Sequence, residues 1–346
     1  MTDIINKLIF ERNLSRDEFI YLYNNASEID KDIISKKARE ISLGIFSNKI
    51  YIRGLIEITN YCQNDCYYCG IRKSNFDASR YSLDKADILA CCEVGYDIGF
   101  RTFVMQGGEL GGKSDNEIID IVSSIRERFS DCAITLSLGE KTKATYKDFF
   151  NAGANRYLLR HETANNEHYA RLHPLSMSLD NRKRCLFDLA EIGYQVGTGF
   201  MVGSPFQTTE NIAEDMEFIK ALNPQMIGIG PFIPHKDTPF GKFPAGNADD
   251  TCFLISILRL MMPYALIPAT TSLGTISKNG REKGILGGAN VIMPNLSPIN
   301  VREKYTLYDN KLCTGNEASE NLRSLNESLK SIGYEISYSR GDYNNG

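Results

Sequence analysis

No stretch of this 346-residue chain approaches the ~20 consecutive apolar residues a helix needs to cross a bilayer. A membrane-spanning protein is therefore not expected. The opening Met1-Thr2-Asp3-Ile4-Ile5-Asn6-Lys7 lacks the charged, apolar and small-residue order of a secretory signal, and its early acid disfavours a transit peptide. The expected address is the cytoplasm. Strong charge of one sign is also missing. A formal net charge of −4 gives no electrostatic reason to expect a nucleic-acid partner. Short basic runs, Lys36-Lys37-Ala38-Arg39 and Arg182-Lys183-Arg184, read as generic solvated helix faces. Neither a low-complexity segment nor a Pro/Gly-rich linker divides the chain, and with 42% apolar residues it can bury a sizeable core. No GxGxxG follows an early strand with an acid ~20 residues later, which excludes a dinucleotide-binding oxidoreductase.

Histidine is scarce, and the first one is His161. That matters for the run Cys62-Gln63-Asn64-Asp65-Cys66-Tyr67-Tyr68-Cys69, because no fourth Cys or His lies nearby. A structural zinc site normally closes its tetrahedron with four protein ligands. Three thiolates spaced Cx3CxxC can instead hold three corners of a [4Fe–4S] cluster and leave one iron open to a small molecule. A zinc-stabilised binding module and unliganded thiols remain as alternatives on spacing alone. Nine cysteines without a secretion signal fit a reducing compartment, with thiols and a metal cluster in place of disulfides.

The first 50 residues read as helical, with Ser15 and Glu18 at capping-box spacing ahead of Phe19, Ile20, Leu22 and Tyr23. Beyond them, short apolar runs alternate with amphipathic stretches. The strand candidates are 52–58, 101–105, 132–138, 155–160, 195–202, 226–230, 265–271 and 289–293. Eight strands separated by helices predict right-handed crossovers and a parallel α/β sheet closed into a (β/α)8 TIM-type barrel. An open doubly wound sheet is the alternative. The expected organisation is an N-terminal helical extension over 1–50, a barrel over 51–313 and a C-terminal helical extension over 314–346. Helix is expected over 316–332, and Asp342-Tyr343-Asn344-Asn345-Gly346 reads as a frayed end.

In such a barrel the reactive groups gather at the C-terminal ends of the strands. The first strand runs straight into the cysteine loop. The others end in Gln106-Gly107-Gly108-Glu109, Ser137-Leu138-Gly139-Glu140, Arg160-His161-Glu162-Thr163, Met201-Val202-Gly203, Gly228 to Phe232, Thr270-Thr271 and Met293-Pro294-Asn295. Taken singly, Gly107-Gly108 reads as a tight turn, Met201 and Met293 as core, and His161 as a satisfied structural histidine. Arg160 and Glu162 are different, because charges at the end of a buried strand need partners or ligands.

These residues resemble the radical S-adenosylmethionine (SAM) superfamily, whose hallmark is Cx3CxxC with an aromatic, here Tyr68, before the third cysteine. Within it the chain resembles the HydE family, which helps build the active-site metal cluster of [FeFe]-hydrogenase. The matching strings are Leu136 to Glu140, Arg156 to Ala164 (RYLLRHETA), Gly228 to His235 (GIGPFIPH), Pro268 to Thr271, Leu273 to Thr275 and Gly288 to Asn295. The resemblance implies a cluster on Cys62, Cys66 and Cys69, Tyr68 near adenine, and Gly107-Gly108-Glu109 at the methionine amino group. Ser137, Arg160, Glu162, Arg182, Met201, Met293 and Tyr305 are implied around SAM, and Arg156, Thr270 and Thr271 around an anionic substrate. Implied partners are a low-potential electron donor of ferredoxin or flavodoxin type, the companion hydrogenase maturases, and a small iron complex bearing cysteine, CO and cyanide. Some members carry a second cluster on three cysteines. Cys313 matches the first, but Asn321 and Ser324 stand at the others, so that cluster is not expected. The rivals within the superfamily are a methylornithine synthase-like lysine mutase and, further off, a biotin synthase-like enzyme.

Overall fold

The computed structural model describes residues 1–109, 112–312 and 318–344; Cys313 lies outside them. Three helices open the chain: α1 (Thr2–Glu11), α2 (Arg16–Asn25) and α3 (Glu28–Phe46). The capping box expected at Ser15 is present. Its Oγ accepts the Glu18 N–H at 3.2 Å while the Glu18 carboxylate accepts the Ser15 N–H at 2.7 Å. Two strands follow, β1 (Lys49–Ile52) and β2 (Gly54–Thr59), then α4 (Lys85–Asp97), β3 (Thr102–Gly107), α5 (Asp115–Arg128), β4 (Ala133–Ser137) and α6 (Lys143–Ala152). Next come β5 (Arg156–Leu158), α7 (Asn166–Leu172), α8 (Leu179–Ile192), β6 (Gln195–Thr198), β7 (Met201–Val202) and α9 (Thr209–Leu222). The remainder is β8 (Met226–Ile227), β9 (Gly230–Pro231), α10 (Ala248–Met261), α11 (Thr271–Ile276), α12 (Gly280–Leu286), β10 (Val291–Ile292), α13 (Ile299–Arg302), α14 (Ala318–Ser331) and β11 (Glu335–Ser337).

The parallel ladder runs β2-β3-β4-β5-β6-β8. It closes into the barrel through residues 265–269, which bridge Met226 to Leu266 on one side and Pro268 to Val291 on the other. The ring returns to its start where β10 pairs with β1 and Leu55 bonds to both Pro294 and Leu296. The seventh strand is thus shorter than expected. Pro268 has no N–H to donate, and Thr271 already begins α11. The candidates 195–202 and 226–230 each split in two. At Gly199 an added Cβ would sit 2.0 Å from the Gly228 carbonyl, so only glycine permits the approach that bends both strands.

The C-terminal part does more than trail the barrel. β11 pairs in parallel with β1, and the chain then crosses the barrel floor. There Arg156, fully buried at the start of β5, donates to the carbonyls of Arg340 and Gly341 at 3.1 and 3.0 Å and to the Asp342 carboxylate at 2.8 Å. Tyr343 N–H reaches Gln195 Oε1 at 3.3 Å. The expectation of a frayed end at Asp342 therefore fails, because a buried guanidinium needs those acceptors. Arg156→Ala is expected to destabilise the fold by about 3 kcal/mol, at the low end for a broken buried pair because Asp342 is partly exposed. Chemical denaturation measures it; an unchanged midpoint would show that the floor contact carries no stability.

Candidate active site

Thr59 and Asn60 end β2, and the cysteine loop springs from them. Asn60 is fully buried and spends its amide on loop geometry, donating to Ser79 O (2.8 Å) and Lys304 O (2.7 Å) and accepting from Tyr81 N (2.8 Å). Arg80 clasps the loop from outside, donating to the carbonyls of Asn60, Ile71, Arg72 and Asn75 at 2.5–3.0 Å. Asp65 is held by Arg72 at 2.7 Å and by Ser74, so its carboxyl lies well below the usual range. The loop is therefore a rigid mount.

Cys62, Cys66 and Cys69 all line one cavity of about 340 Å³ at the mouth of the barrel. Burial pushes all three thiols up, Cys69 to about 12, and the neighbouring thiols add to the rise at Cys66 and Cys69, as Glu109 does at Cys62. Backbone N–H groups of Asn64 and Glu109 at Cys62, and of Ile71 at Cys69, act the other way. Such a trio suits a cationic cluster, because only a metal makes three neighbouring buried thiolates affordable while N–H donors soften their charge. Gly108 closes the cradle. A Cβ there would lie 2.0 Å from Tyr61 O and 2.8 Å from the Cys62 Cβ. No group of three or more His, Cys, Asp or Glu side chains placed for a single metal ion occurs among the described residues.

The other expected site residues fall into three groups. Tyr68, Gly107, Gly108, Glu109, Ser137, Arg160, Glu162, Arg182, Met201, Thr270, Met293 and Tyr305 line the same cavity as the cysteines. Thr271 lines a neighbouring cavity instead, beside Glu57, Asn295 and Lys311. Arg156 belongs to the floor contacts described above and lines neither of these cavities. The basic run at 182–184 is likewise no simple solvated face. Arg182 is buried, and Lys183 donates to Ala164 O at 2.8 Å.

Unsatisfied polar atoms mark where ligands are wanted. Arg182 Nε approaches Glu140 Oε1 at 2.8 Å and its Nη2 lies 3.7 Å from Glu109 Oε2. The Glu140 contact is misaligned for a hydrogen bond, and both Arg182 Nε and Glu140 Oε1 are left without partners. The same holds for Arg160 Nε and Nη2 and for Glu162 Oε2, although Arg160 and Glu162 stand 3.4 Å apart. Glu162 also has a left-handed backbone, φ 64°, an uncommon conformation for a non-glycine residue. Deeper in the cavity, Arg53 spends Nη1 on the Met226 sulfur at 2.9 Å, while its Nε, its Nη2 and Thr135 Oγ1 have no acceptor or donor. These deep groups were missed in the sequence, where an arginine in an apolar strand was the available signal.

Two histidines support the site from behind. His173 Nε2 meets the Tyr68 hydroxyl at 3.0 Å. His161 sits between Thr198 Oγ1 (2.8 Å) and Asp215 Oδ1 (3.2 Å), and the same Asp215 oxygen accepts the Ala164 N–H at 2.5 Å. That network fits a neutral imidazole donating from Nε2, and it fixes the turn that carries Glu162. Burial lowers both histidines to about 3. A histidine depressed in the folded state stabilises above its ordinary value near 6.5 and loses that stability as pH falls toward 3. The melting temperature should accordingly drop between pH 6.5 and 4.5, and less steeply in His161→Asn. Parallel curves for the two proteins would contradict this account.

Residues 56–219 match the radical SAM superfamily. The chain is 41% identical over 282 residues to the [FeFe] hydrogenase maturase subunit HydE of Thermotoga maritima, covering 82% of this chain and 80% of that one. The chain belongs to the HydE family. It is a radical SAM enzyme. The 3-methylornithine synthase of Methanosarcina acetivorans is 26% identical over 95% of this chain and 92% of its own. The crystal structure of methylornithine synthase (PylB) superposes with a TM-score of 0.85 at 25% identity, covering 96% and 97% of the two chains. That of HydG, a maturase of the [FeFe]-hydrogenase, superposes at 0.82 and 22% identity over 99% and 77%, a likeness of fold. The TIM-type barrel expected for this HydE-family chain is the one observed. No helix among the described residues is long and apolar enough to cross a membrane.

Proposed function

We propose that this HydE-family enzyme acts in assembly of the [FeFe]-hydrogenase di-iron subcluster, cleaving SAM reductively and working on a small iron complex bearing cysteine, CO and cyanide. The observation that carries the reading is the 41% identity to Thermotoga maritima HydE across four-fifths of both chains. Cys62, Cys66 and Cys69 would hold one [4Fe–4S] cluster. Bound cluster and SAM would supply the bond-breaking chemistry, in which one low-potential electron would cleave the S–C5′ bond to methionine and a 5′-deoxyadenosyl radical, which becomes 5′-deoxyadenosine only on gaining a hydrogen atom.

The chain's own residues bind, orient and enclose. Arg182, with its unsatisfied Nε, is suited to the methionine carboxylate, and Glu109 with Gly107 and Gly108 to its amino group. Glu162 is suited to ribose hydroxyls and Tyr68 to the adenine, with Ser137, Met201, Met293 and Tyr305 completing the walls. Arg160 is suited to the SAM side of the same cavity and Thr270 to its substrate side. Arg53 and Thr135, not Arg156, offer free donors to an anionic end of the substrate deeper in the barrel. The surrounding wall of buried side chains excludes water from the reacting atoms.

A cytoplasmic setting, a ferredoxin- or flavodoxin-type donor and companion maturases follow from this reading. The test is anaerobic turnover of the reconstituted enzyme with SAM, a reductant and either the iron complex or lysine. Accelerated 5′-deoxyadenosine formation with the iron complex alone is expected. Acceleration by lysine would turn the assignment to the methylornithine synthase reaction, which the 26% identity keeps as the second reading.

A further inference from the structure

The outer side of the cysteine loop is built differently from its inner side. Tyr68 lines the cavity, whereas its neighbour Tyr67 does not line it. The Tyr67 ring meets Phe240 edge-on at 6.0 Å, and Phe240 touches Phe206 at 6.1 Å. Backbone bonds lock this arrangement, Tyr67 N–H to Leu172 O (3.0 Å) and Phe240 N–H to Tyr67 O (3.2 Å). Packing alone would bury such a chain of rings, yet Phe206 is 45% exposed. Its backbone is left-handed, φ 66°, a genuine outlier for a bulky residue. Strain of this kind persists at recognition sites because the surroundings enforce it.

Just past the end of α7, Leu175 is 95% exposed. It lies between Leu172, bonded to Tyr67, and Met177, whose sulfur is 3.8 Å from Cys66 Sγ. An exposed leucine on a segment tied to the loop at both ends is an apolar contact point.

The charge here opposes the negative balance of the whole chain. Arg171 lies over the Phe206 ring at 4.7 Å, Lys242 precedes Phe243, and Lys73 is anchored by its N–H to Asn64 O at 2.9 Å. All three are exposed, and none forms an ion pair among the described residues. The nearby acids Asp65 and Asp237 are taken up by Arg72 and Lys236, each at 2.7 Å. Glu167, one turn before Arg171 on α7, stands against them.

We propose that this surface, with Phe206 and Leu175 as apolar contacts and Arg171, Lys242 and Lys73 as a cationic rim, is the docking site for a small acidic ferredoxin. The proposal rests on the cysteine loop holding the cluster. Docking here brings the carrier to the segment of the loop that carries Cys66 and Tyr67. Reduced ferredoxin gives up one electron and is oxidised, the cluster on the loop gains that electron, and no bond changes at the interface. Electron-transfer encounters are small and transient, often below about 1,200 Å², so a patch of this kind suffices. Rim charges then act mainly on the association rate and its salt dependence.

The test compares two reductants on the reconstituted enzyme, following 5′-deoxyadenosine at low salt. The variants are Arg171→Glu with Lys242→Glu, and separately Phe206→Ala. With dithionite, both should match the wild type. With an acidic 2[4Fe–4S] ferredoxin, the charge reversal should lower the rate about tenfold and abolish its salt dependence, and Phe206→Ala should lower it less. A wild-type ferredoxin rate in the charge-reversed protein overturns the proposal, as does an equal loss with both reductants. Impairment with a flavodoxin but not with ferredoxin overturns the choice of partner. If the wild type forms no 5′-deoxyadenosine even with dithionite, the reading of the cysteine loop fails instead.

Discussion

Cys66→Ala is expected to yield a colourless protein that makes no 5′-deoxyadenosine. The thiol is one of three lining the cavity mouth, and no other cysteine among the described residues lines it. Cys91, Cys92, Cys185 and Cys252 sit on helices α4, α8 and α10, and Cys132 precedes β4. All five are held by packing, far up the titration scale or rising, and none lines the cavity. His173, behind Tyr68, is already engaged by Tyr68 and Tyr169. Removing one sulfur takes away little packing, so the apo-protein should keep its melting temperature while reconstituted iron falls from about four per chain toward zero. Retained iron together with SAM cleavage would sink the cluster assignment.

Arg182→Ala should separate SAM binding from cluster binding. The guanidinium is buried between Glu109 and Glu140, so its loss leaves two carboxylates facing a cavity with no cation between them. Burial already pushes Glu140 up, and without Arg182 it would rise further. A charge-assisted contact to the ligand is worth about 1.5–3 kcal/mol, so SAM affinity should fall on the order of tenfold to a hundredfold. The fold should lose about 3 kcal/mol, as expected when one member of a buried ion pair is removed. Lysine at this position restores the charge but not the planar fork, so Arg182→Lys should recover stability better than affinity. Iron titration and equilibrium SAM binding on the same samples check this. Loss of iron in Arg182→Ala would move the residue from ligand binding to support of the cluster loop.

Most of the barrel was legible because its strands are short apolar runs punctuated by glycine, threonine and charge. What periodicity could not show was where a strand breaks. Two strands bend where the Gly199 backbone approaches the Gly228 carbonyl too closely for a Cβ on Gly199, and Pro268 interrupts a third. The tail was misread for a related reason. Asp342 and Tyr343 look like polar chain end, and only the buried Arg156 gives them something to bind.

The site divides along the same line. Residues adjacent in sequence to a strand end, such as Glu109, Ser137, Arg160 and Glu162, could be named because a strand delivers them to a known face. Partners from distant segments could not. His173 behind Tyr68, Asp215 behind His161 and Glu140 against Arg182 each join elements whose spacing in the chain carries no signal.

The sequence by itself determined the Cys62–Cys69 constellation, the barrel and the family, since local spacing and shared strings carry all three. The tertiary structure alone decided which charges are free. Arg156 is consumed by the floor, while Arg53, Arg160 and Arg182 keep donors open to the cavity. A guanidinium's availability depends on the acceptors that burial brings to it, and those come from parts of the chain far away in sequence.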